Sequence, residues 1–311
     1  MSFLAVFAPS LLAFSLLLAS CSQTTHAVQP SPFGTPSTER QLEQALASGP
    51  GPIRFEKIRA ATWSVPRSGL VNLDHEHARQ AGLTDGPEPI EIYFYALHHP
   101  TRGTYLVDTG VARAFTDPEG ELPVSWIVRQ AMNLEDLHVE VSTADWLARQ
   151  TTSIRGVLFT HLHLDHIMGL ADLPASVPLY VGPHEADDTK FLNLFARGTT
   201  DENLEPFGAL TEFSPGPAET GGLVDLFGDG SVFGLHRPGH TAGSMAYLVR
   251  SSEGLQLLTG DCSHTAWGWQ HDVEPGTFNT DQSGAAKSFL ELRQLVARHP
   301  DIHVHLGHQS L

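Results

Sequence analysis

Six consecutive residues, His161-Leu162-His163-Leu164-Asp165-His166, put three imidazoles and one carboxylate into one short stretch. Neutral imidazole and carboxylate are ligands for divalent transition metals, and a cluster this dense has few structural explanations. In extended chain, alternate side chains share a face, so residues 161, 163 and 165 point one way. A turn is then needed to bring Asp165 and His166 round to a second centre, and one segment can feed two adjacent metals. The competing reading is a solvated histidine-rich loop. The chain as a whole is rich in this ligand, with 18 histidines against 18 lysines plus arginines.

The elements that must position this segment follow from patterning. It comes just after an apolar run, Gly156 to Thr160, that reads as a strand. Further β-like runs are Ile90 to Leu97, Thr104 to Val107, Leu179 to Val181, Ser231 to Leu235, Ser244 to Val249, Gln256 to Leu258 and Ile302 to Leu306. Lys287 to His299 reads as an amphipathic helix whose stripe of Phe289, Leu292, Leu295 and Val296 is core, and Pro300 stops it. Strands alternating with helices in two similar halves predict a layered α/β domain.

At 311 residues and 41% hydrophobic content, the chain can bury a large single core. Thirty-five acidic against 18 basic residues give a formal charge of -17, which repels phosphate backbones and excludes nucleic acid as a partner. With only Cys21 and Cys262, no disulfide framework is expected. Residues 1–21 read as a secretory signal, apolar from Phe3 to Ala19 but broken by Pro9, Ser10 and Ser15. Its end, Leu18-Ala19-Ser20-Cys21, resembles the lipobox of bacterial lipoproteins, in which the cysteine becomes a lipid anchor. The absence of Lys or Arg from residues 1 to 38 departs from that pattern, and a simple cleaved signal is the alternative. The expectation is an exported protein, periplasmic or membrane-anchored, with the anchor at Cys21 as its one link to a membrane. Residues 22–52, rich in Ser, Thr, Gln and Pro, read as a flexible linker with one helical stretch from Glu39 to Ala47, and residues 53–311 as the catalytic domain.

The segment 161–166 resembles the HxHxDH signature of the metallo-β-lactamase superfamily, and other pieces of that family follow in order. Gly103-Thr-Tyr-Leu-Val-Asp108-Thr-Gly110 is similar to its early strand and turn, Pro238-Gly239-His240-Thr241-Ala242-Gly243-Ser244 to its PGHTxGS turn, and Leu258-Thr259-Gly260-Asp261 to the strand that ends in a bridging aspartate. The resemblance covers most of residues 55 to 311 and implies an αββα four-layer sandwich. It also implies that His161, His163 and His240 hold one metal, that Asp261 bridges two, and that Asp108 supports the metal loop without binding. Asp165 and His166 then hold the second metal with a histidine from the last strand. Of His303, His305 and His308, the first two sit inside the strand, whereas His308 follows Gly307 where a loop can turn inward, and it is the one expected.

Two divalent ions, zinc by default with iron, cobalt or manganese as alternatives, lower the pKa of a shared water toward neutrality. The resulting hydroxide can attack a carbonyl or phosphoryl centre, so the expected reaction is hydrolysis. The spacing from His240 through Asp261 to Gly307-His308 is similar to that of N-acyl homoserine lactonases, which implies a small lactone or ester substrate. In those enzymes a tyrosine stands three residues after the bridging aspartate, where this chain has His264. Asp165 and His264 are therefore the expected catalytic residues, His264 as a donor to the developing oxyanion. Phe191, Leu192, Leu194, Phe195, Trp267 and Trp269 lie in segments able to line an apolar cleft, although core packing is their commoner fate. His75, His77, His98, His99, His184 and His236 have no comparable context. A thioester hydrolase of the glyoxalase II kind, a phosphodiesterase, or a metal-binding lipoprotein without catalysis remain alternatives.

Overall fold

The computed structural model describes residues 22–117, 122, 124–190, 193–217 and 222–311. The leader, with Cys21, lies outside the described residues. Two sheets face each other. The first runs in the order β1 (Val28–Pro30), β9 (Leu210–Glu212), β8 (Leu179–Val181), β7 (Ile154–Leu158), β5 (Gly103–Val107), β4 (Pro87–His99), β3 (Arg54–Pro66) and β6 (His138–Val139). The second runs β14 (His303–His305), β13 (Gly254–Leu258), β12 (Met245–Ser251), β11 (Val232–His236), β10 (Leu223–Asp225) and β2 (Thr35–Ser37).

Burial explains why these layers stack. Tyr93, Tyr95, Leu97 and Leu158 of the first sheet meet Val224, Met245, Tyr247 and Leu258 of the second in one apolar cluster. Phe94, Ala96, Leu106 and Val157, which point the other way on the same strands, pack with Trp146, Ile167 and Leu170 of the covering helices. The far face of the second sheet, with Phe233, Leu235 and Leu248, packs on Phe289, Leu292 and Leu295. Three apolar interfaces between four layers make the αββα sandwich. Strands buried on both faces lose the alternation of a half-wet strand, hence the continuous apolar runs in the sequence.

The helix anticipated at 287–299 spans Gln282–Arg298, starting one turn earlier because the Asp281 side chain accepts from Ser283 N as an N-cap. Strand β3 has no counterpart among the expected strands. Arg54, Glu56, Lys57 and Arg59 break its apolar pattern, and cross-strand pairing accommodates them, with Arg59 reaching Glu91 at 2.6 Å and Glu140 at 2.9 Å.

The reading of residues 22–52 as a flexible linker is corrected. β1 pairs in parallel with β9, and β2 pairs antiparallel with β10, so this segment adds an edge strand to each sheet. The helix Glu39–Ala47 forms within the expected bounds, capped reciprocally by Thr38 and Gln41, and buries Leu42 and Leu46 against the second core. The composition misleads because Pro30 and Pro36 occupy edge strands, where a missing N–H is tolerated. Two leucines four apart are enough to anchor the short helix.

Candidate metal centre

β7 delivers the 161–166 segment to one end of the sandwich. Thr160, at the turn, makes three contacts at once. Its N–H donates to Asp108 Oδ1 at 2.8 Å, its hydroxyl donates to Asp108 Oδ2 at 2.9 Å, and the same hydroxyl lies 3.2 Å from His161 Nδ1. Asp108 sits at φ 57°, a left-handed conformation that aspartate tolerates better than most residues, and this turns its carboxylate under the metal loop. A one-turn helix, Leu164–Ile167, then provides the reversal that extended chain lacks, carrying Asp165 and His166 to a second group of ligands.

The remaining residues arrive from the opposite sheet. His240 lies on the turn between β11 and β12, Asp261 just past β13 and His308 just past β14. At Gly307 a Cβ would stand 2.4 Å from Asp261 Oδ1, so only glycine lets the last strand close over the aspartate. Gly239, at φ 138°, likewise lets the His240 turn lie on the start of the 282–298 helix, where a Cβ would meet Ala285 N at 2.0 Å.

All seven expected ligands converge. His240 Nε2 lies 3.2 Å from His161 Nε2 and 2.9 Å from His163 Nδ1. On the other side, Asp165 Oδ2 lies 3.7 Å from His166 Nε2 and 3.3 Å from His308 Nε2. Between the groups stands Asp261. Its Oδ2 is 3.7 Å from His161, 3.4 Å from His240 and 3.2 Å from His308, and its Oδ1 is 3.5 Å from His166. This is the placement a bridging carboxylate requires.

The donor set fits two cations. The outward nitrogens are committed as donors: His166 Nδ1 to Asp108 Oδ2 at 2.8 Å, His240 Nδ1 to Asn279 Oδ1 at 3.2 Å, and His308 Nδ1 to the Glu91 carbonyl at 3.0 Å. Each leaves an Nε2 lone pair facing inward, the arrangement by which outer partners orient metal-binding histidines. Burial, then the neighbouring histidines, pushes His161 and His240 well below the usual histidine range, and burial takes His163 down to about 4. Neutral rings with converging lone pairs repel unless a cation sits among them. His166 Nε2 and Asp261 Oδ1 are buried with no hydrogen-bond partner, as atoms reserved for an ion are.

His264 is 1% exposed, and both its ring nitrogens are engaged, Nδ1 with the Leu70 carbonyl at 3.2 Å and Nε2 with Asp261 Oδ2 at 3.0 Å. It thus sits against the bridging carboxylate. Of the six apolar residues considered for a cleft, the three whose side chains are described are not gathered on one wall. Trp269 is buried in the second core, Trp267 stacks on His271, and Phe195 is exposed. Phe191 and Leu192, and the side chain of Leu194, lie outside the described residues. Cys262 is buried, its thiol pushed up to about 12.

Sequence reasoning missed the residues that brace the ligands. Glu185, fully buried after β8, accepts from Leu162 N, Thr241 Oγ1 and Gly243 N. Burial pushes its carboxyl up to about 7, yet all three neighbours offer donors, which suits the ionised form. Asp188 accepts from Ala242 N and Thr280 Oγ1, and Lys190 Nζ donates to the carbonyls of Thr277, Phe278 and Asn279. Their sequence context carries no motif; only the three-dimensional packing brings them to the ligands.

A family model described as Metallo-beta-lactamase superfamily matches residues 85–308. The N-acyl homoserine lactonase AttM of Rhizobium johnstonii is 28% identical over 216 residues, covering 67% of this chain and 78% of the lactonase. A hydroxyacylglutathione hydrolase of a Shewanella species is 33% identical over 145 residues, covering 45% of this chain and 48% of that enzyme. Among solved structures, an N-acyl homoserine lactone hydrolase with the product N-hexanoyl-L-homoserine at its catalytic metal centre superposes with a TM-score of 0.59 at 20% identity. That superposition covers 82% of this chain and 92% of the other.

Proposed function

Because the chain belongs to the metallo-beta-lactamase superfamily, and is a hydrolase of it, we propose that it opens the ring of a small lactone, of the N-acyl homoserine lactone type. The observation that carries the reaction class is the split of the donor set around Asp261, with three histidines on one side and Asp165, His166 and His308 on the other. The lactone itself is favoured by the similarity to AttM, which extends over two thirds of this chain.

The two ion positions would be filled by His161, His163 and His240 on one side and Asp165, His166 and His308 on the other, with Asp261 shared. Bound there, two divalent ions, zinc by default, supply a hydroxide nucleophile at neutral pH and positive charge for the developing oxyanion. The chain's own groups handle the proton. Water adds to the lactone carbonyl carbon, the ring C–O bond breaks, and the departing alkoxide needs a proton. Asp165 suits that transfer, since its side chain is 14% exposed against 5% for Asp261 and so faces the open side of the centre. Its carboxylate takes the water's proton and returns it to the alkoxide, leaving a hydroxy acid. His264 holds Asp261 through Nε2 and reaches a substrate oxygen only by giving up that contact.

A thioester substrate is the second reading, favoured by the similarity to hydroxyacylglutathione hydrolase over less than half of the chain. Initial rates of the metal-loaded protein on an N-acyl homoserine lactone, an unsubstituted lactone, a glutathione thioester, a phosphodiester and a β-lactam separate the readings. The proposal expects the acyl homoserine lactone to be cleaved fastest, and preferential thioester cleavage would replace it with the second reading.

A further inference from the structure

Leu162 separates His161 from His163, and its peptide groups are held from two directions. Its N–H donates to Glu185 Oε1 at 2.7 Å, and its carbonyl accepts from Gln23 Nε2, also at 2.7 Å. Its side chain is fully buried in the first core. The other oxygen of Glu185 accepts from Thr241 Oγ1 at 2.6 Å and Gly243 N at 3.1 Å, so one carboxylate ties the His161–His163 loop to the turn that carries His240. Gln23 is 2% exposed and is itself fixed by its neighbours. Ser22 bridges to Thr189, Thr24 N donates to the Ala186 carbonyl at 3.3 Å, and Thr25 Oγ1 donates to Asp201 at 2.7 Å.

We propose that Gln23 and Glu185 are positioning residues that clamp the peptide groups of Leu162, making the amino-terminal segment part of the scaffold that aims His161 and His163 at their ion. The rings of residues 161 and 163 can meet one ion only if the two peptides between them hold a single orientation, because ligand distances tolerate a few tenths of an ångström. A loop free to rotate there would have to lose that freedom on binding, at a cost in affinity. Three donors on one buried carboxylate supply rigidity on one side. Gln23 supplies it on the other and links it to a segment whose composition reads as a tether. This role is independent of which bond the enzyme hydrolyses.

The test uses the full chain with Gln23→Ala, Gln23→Glu, Glu185→Gln and Glu185→Ala. Zinc affinity is measured by competition with a chromophoric chelator, and cobalt spectra distinguish the all-histidine position from the one with Asp165. Glu185→Ala should weaken the His161, His163, His240 position by about 10- to 100-fold, as loss of an outer partner does. Gln23→Ala should weaken it by roughly three- to tenfold, the worth of one neutral hydrogen bond. Gln23→Glu, which sets a carboxylate against the Leu162 carbonyl, should be worse than alanine. Glu185→Gln, with one acceptor oxygen for three donors, should fall between wild type and Glu185→Ala. In Gln23→Ala the Asp165, His166, His308 position should keep its wild-type affinity, while the metal-free protein should melt only a few degrees lower, as the loss of one buried hydrogen bond requires. Wild-type zinc affinity in both Gln23→Ala and Glu185→Gln would overturn the clamp. So would equal loss of both ions, which would mark a general role in stability. If Glu185→Ala does not fold, the other three variants decide.

Discussion

Asp108 and His166 meet beneath the metal centre, Oδ2 to Nδ1 at 2.8 Å, and the contact fixes which nitrogen of His166 faces the ions. The same carboxylate takes both the N–H and the hydroxyl of Thr160, so strand β5 and the metal loop are held together through one side chain. Replacing Asp108 by Ala frees the His166 ring and leaves Thr160 N without its acceptor. The expected result is a loss of about 10- to 100-fold in affinity for the ion at Asp165, His166 and His308, measured by chelator competition, with the all-histidine position less affected.

Acid should strip the two positions in a definite order. Burial pulls His166 and His308 down, but the surrounding carboxylates together outweigh it, Asp108, Asp261 and Asp165 at His166 and Asp261 with Asp165 at His308, so both hold a proton to higher pH than an ordinary histidine. His161 and His240 shift the other way and stay neutral as pH falls. A metal must displace protons from the first pair and none from the second. Lowering the pH from about 8 to about 6 should therefore release the ion at Asp165, His166 and His308 first, as cobalt spectra can follow. Release in the opposite order would show that these charges do not govern binding.

His264 touches Asp261 directly, so removing it should disturb both the bridge and the reaction. For His264→Ala we expect turnover to fall by roughly tenfold to a thousandfold, the range seen on loss of a group stabilising developing charge. Metal titration in parallel tells the two contributions apart. A fall with both ions retained points to a donor for the substrate, and a fall that tracks metal loss points to the hold on Asp261. Turnover at the wild-type level would remove His264 from the chemistry.

The helix Glu39–Ala47 is a structural part of the domain if Leu46, 4% exposed, is core. Leu46→Ala should then lower the unfolding free energy by about 2–5 kcal/mol, read from denaturant midpoints. An unchanged midpoint would return residues 22–52 to the status of a tether.

The candidate ligands of residues 161–166 were legible because their chemistry is local, three histidines and an aspartate in six residues. His240 and Asp261 were expected only through the resemblance of their motifs to the superfamily's. His308 could be told from His303 and His305 by the glycine before it, and Gly307 packs so tightly on Asp261 that a Cβ there would stand 2.4 Å from Oδ1. What stayed hidden depends on contacts between distant parts of the chain. Glu185 lies 23 residues from Leu162 and Gln23 lies 139 from it, and neither stands in a motif. Strand β3 escaped because its charged residues are paired by partners on β4 and beyond, and β1 and β2 because prolines on edge strands look like turn signals.

If this centre opens lactones through two ions held around Asp261, add-back of zinc to the chelated protein during hydrolysis of an N-acyl homoserine lactone tests it most directly. Ring opening should be absent without metal, rise as zinc is added, level off at about two equivalents, and stay absent in Asp261→Ala. Protein that binds two zinc ions yet leaves the lactone intact at every stoichiometry would contradict it.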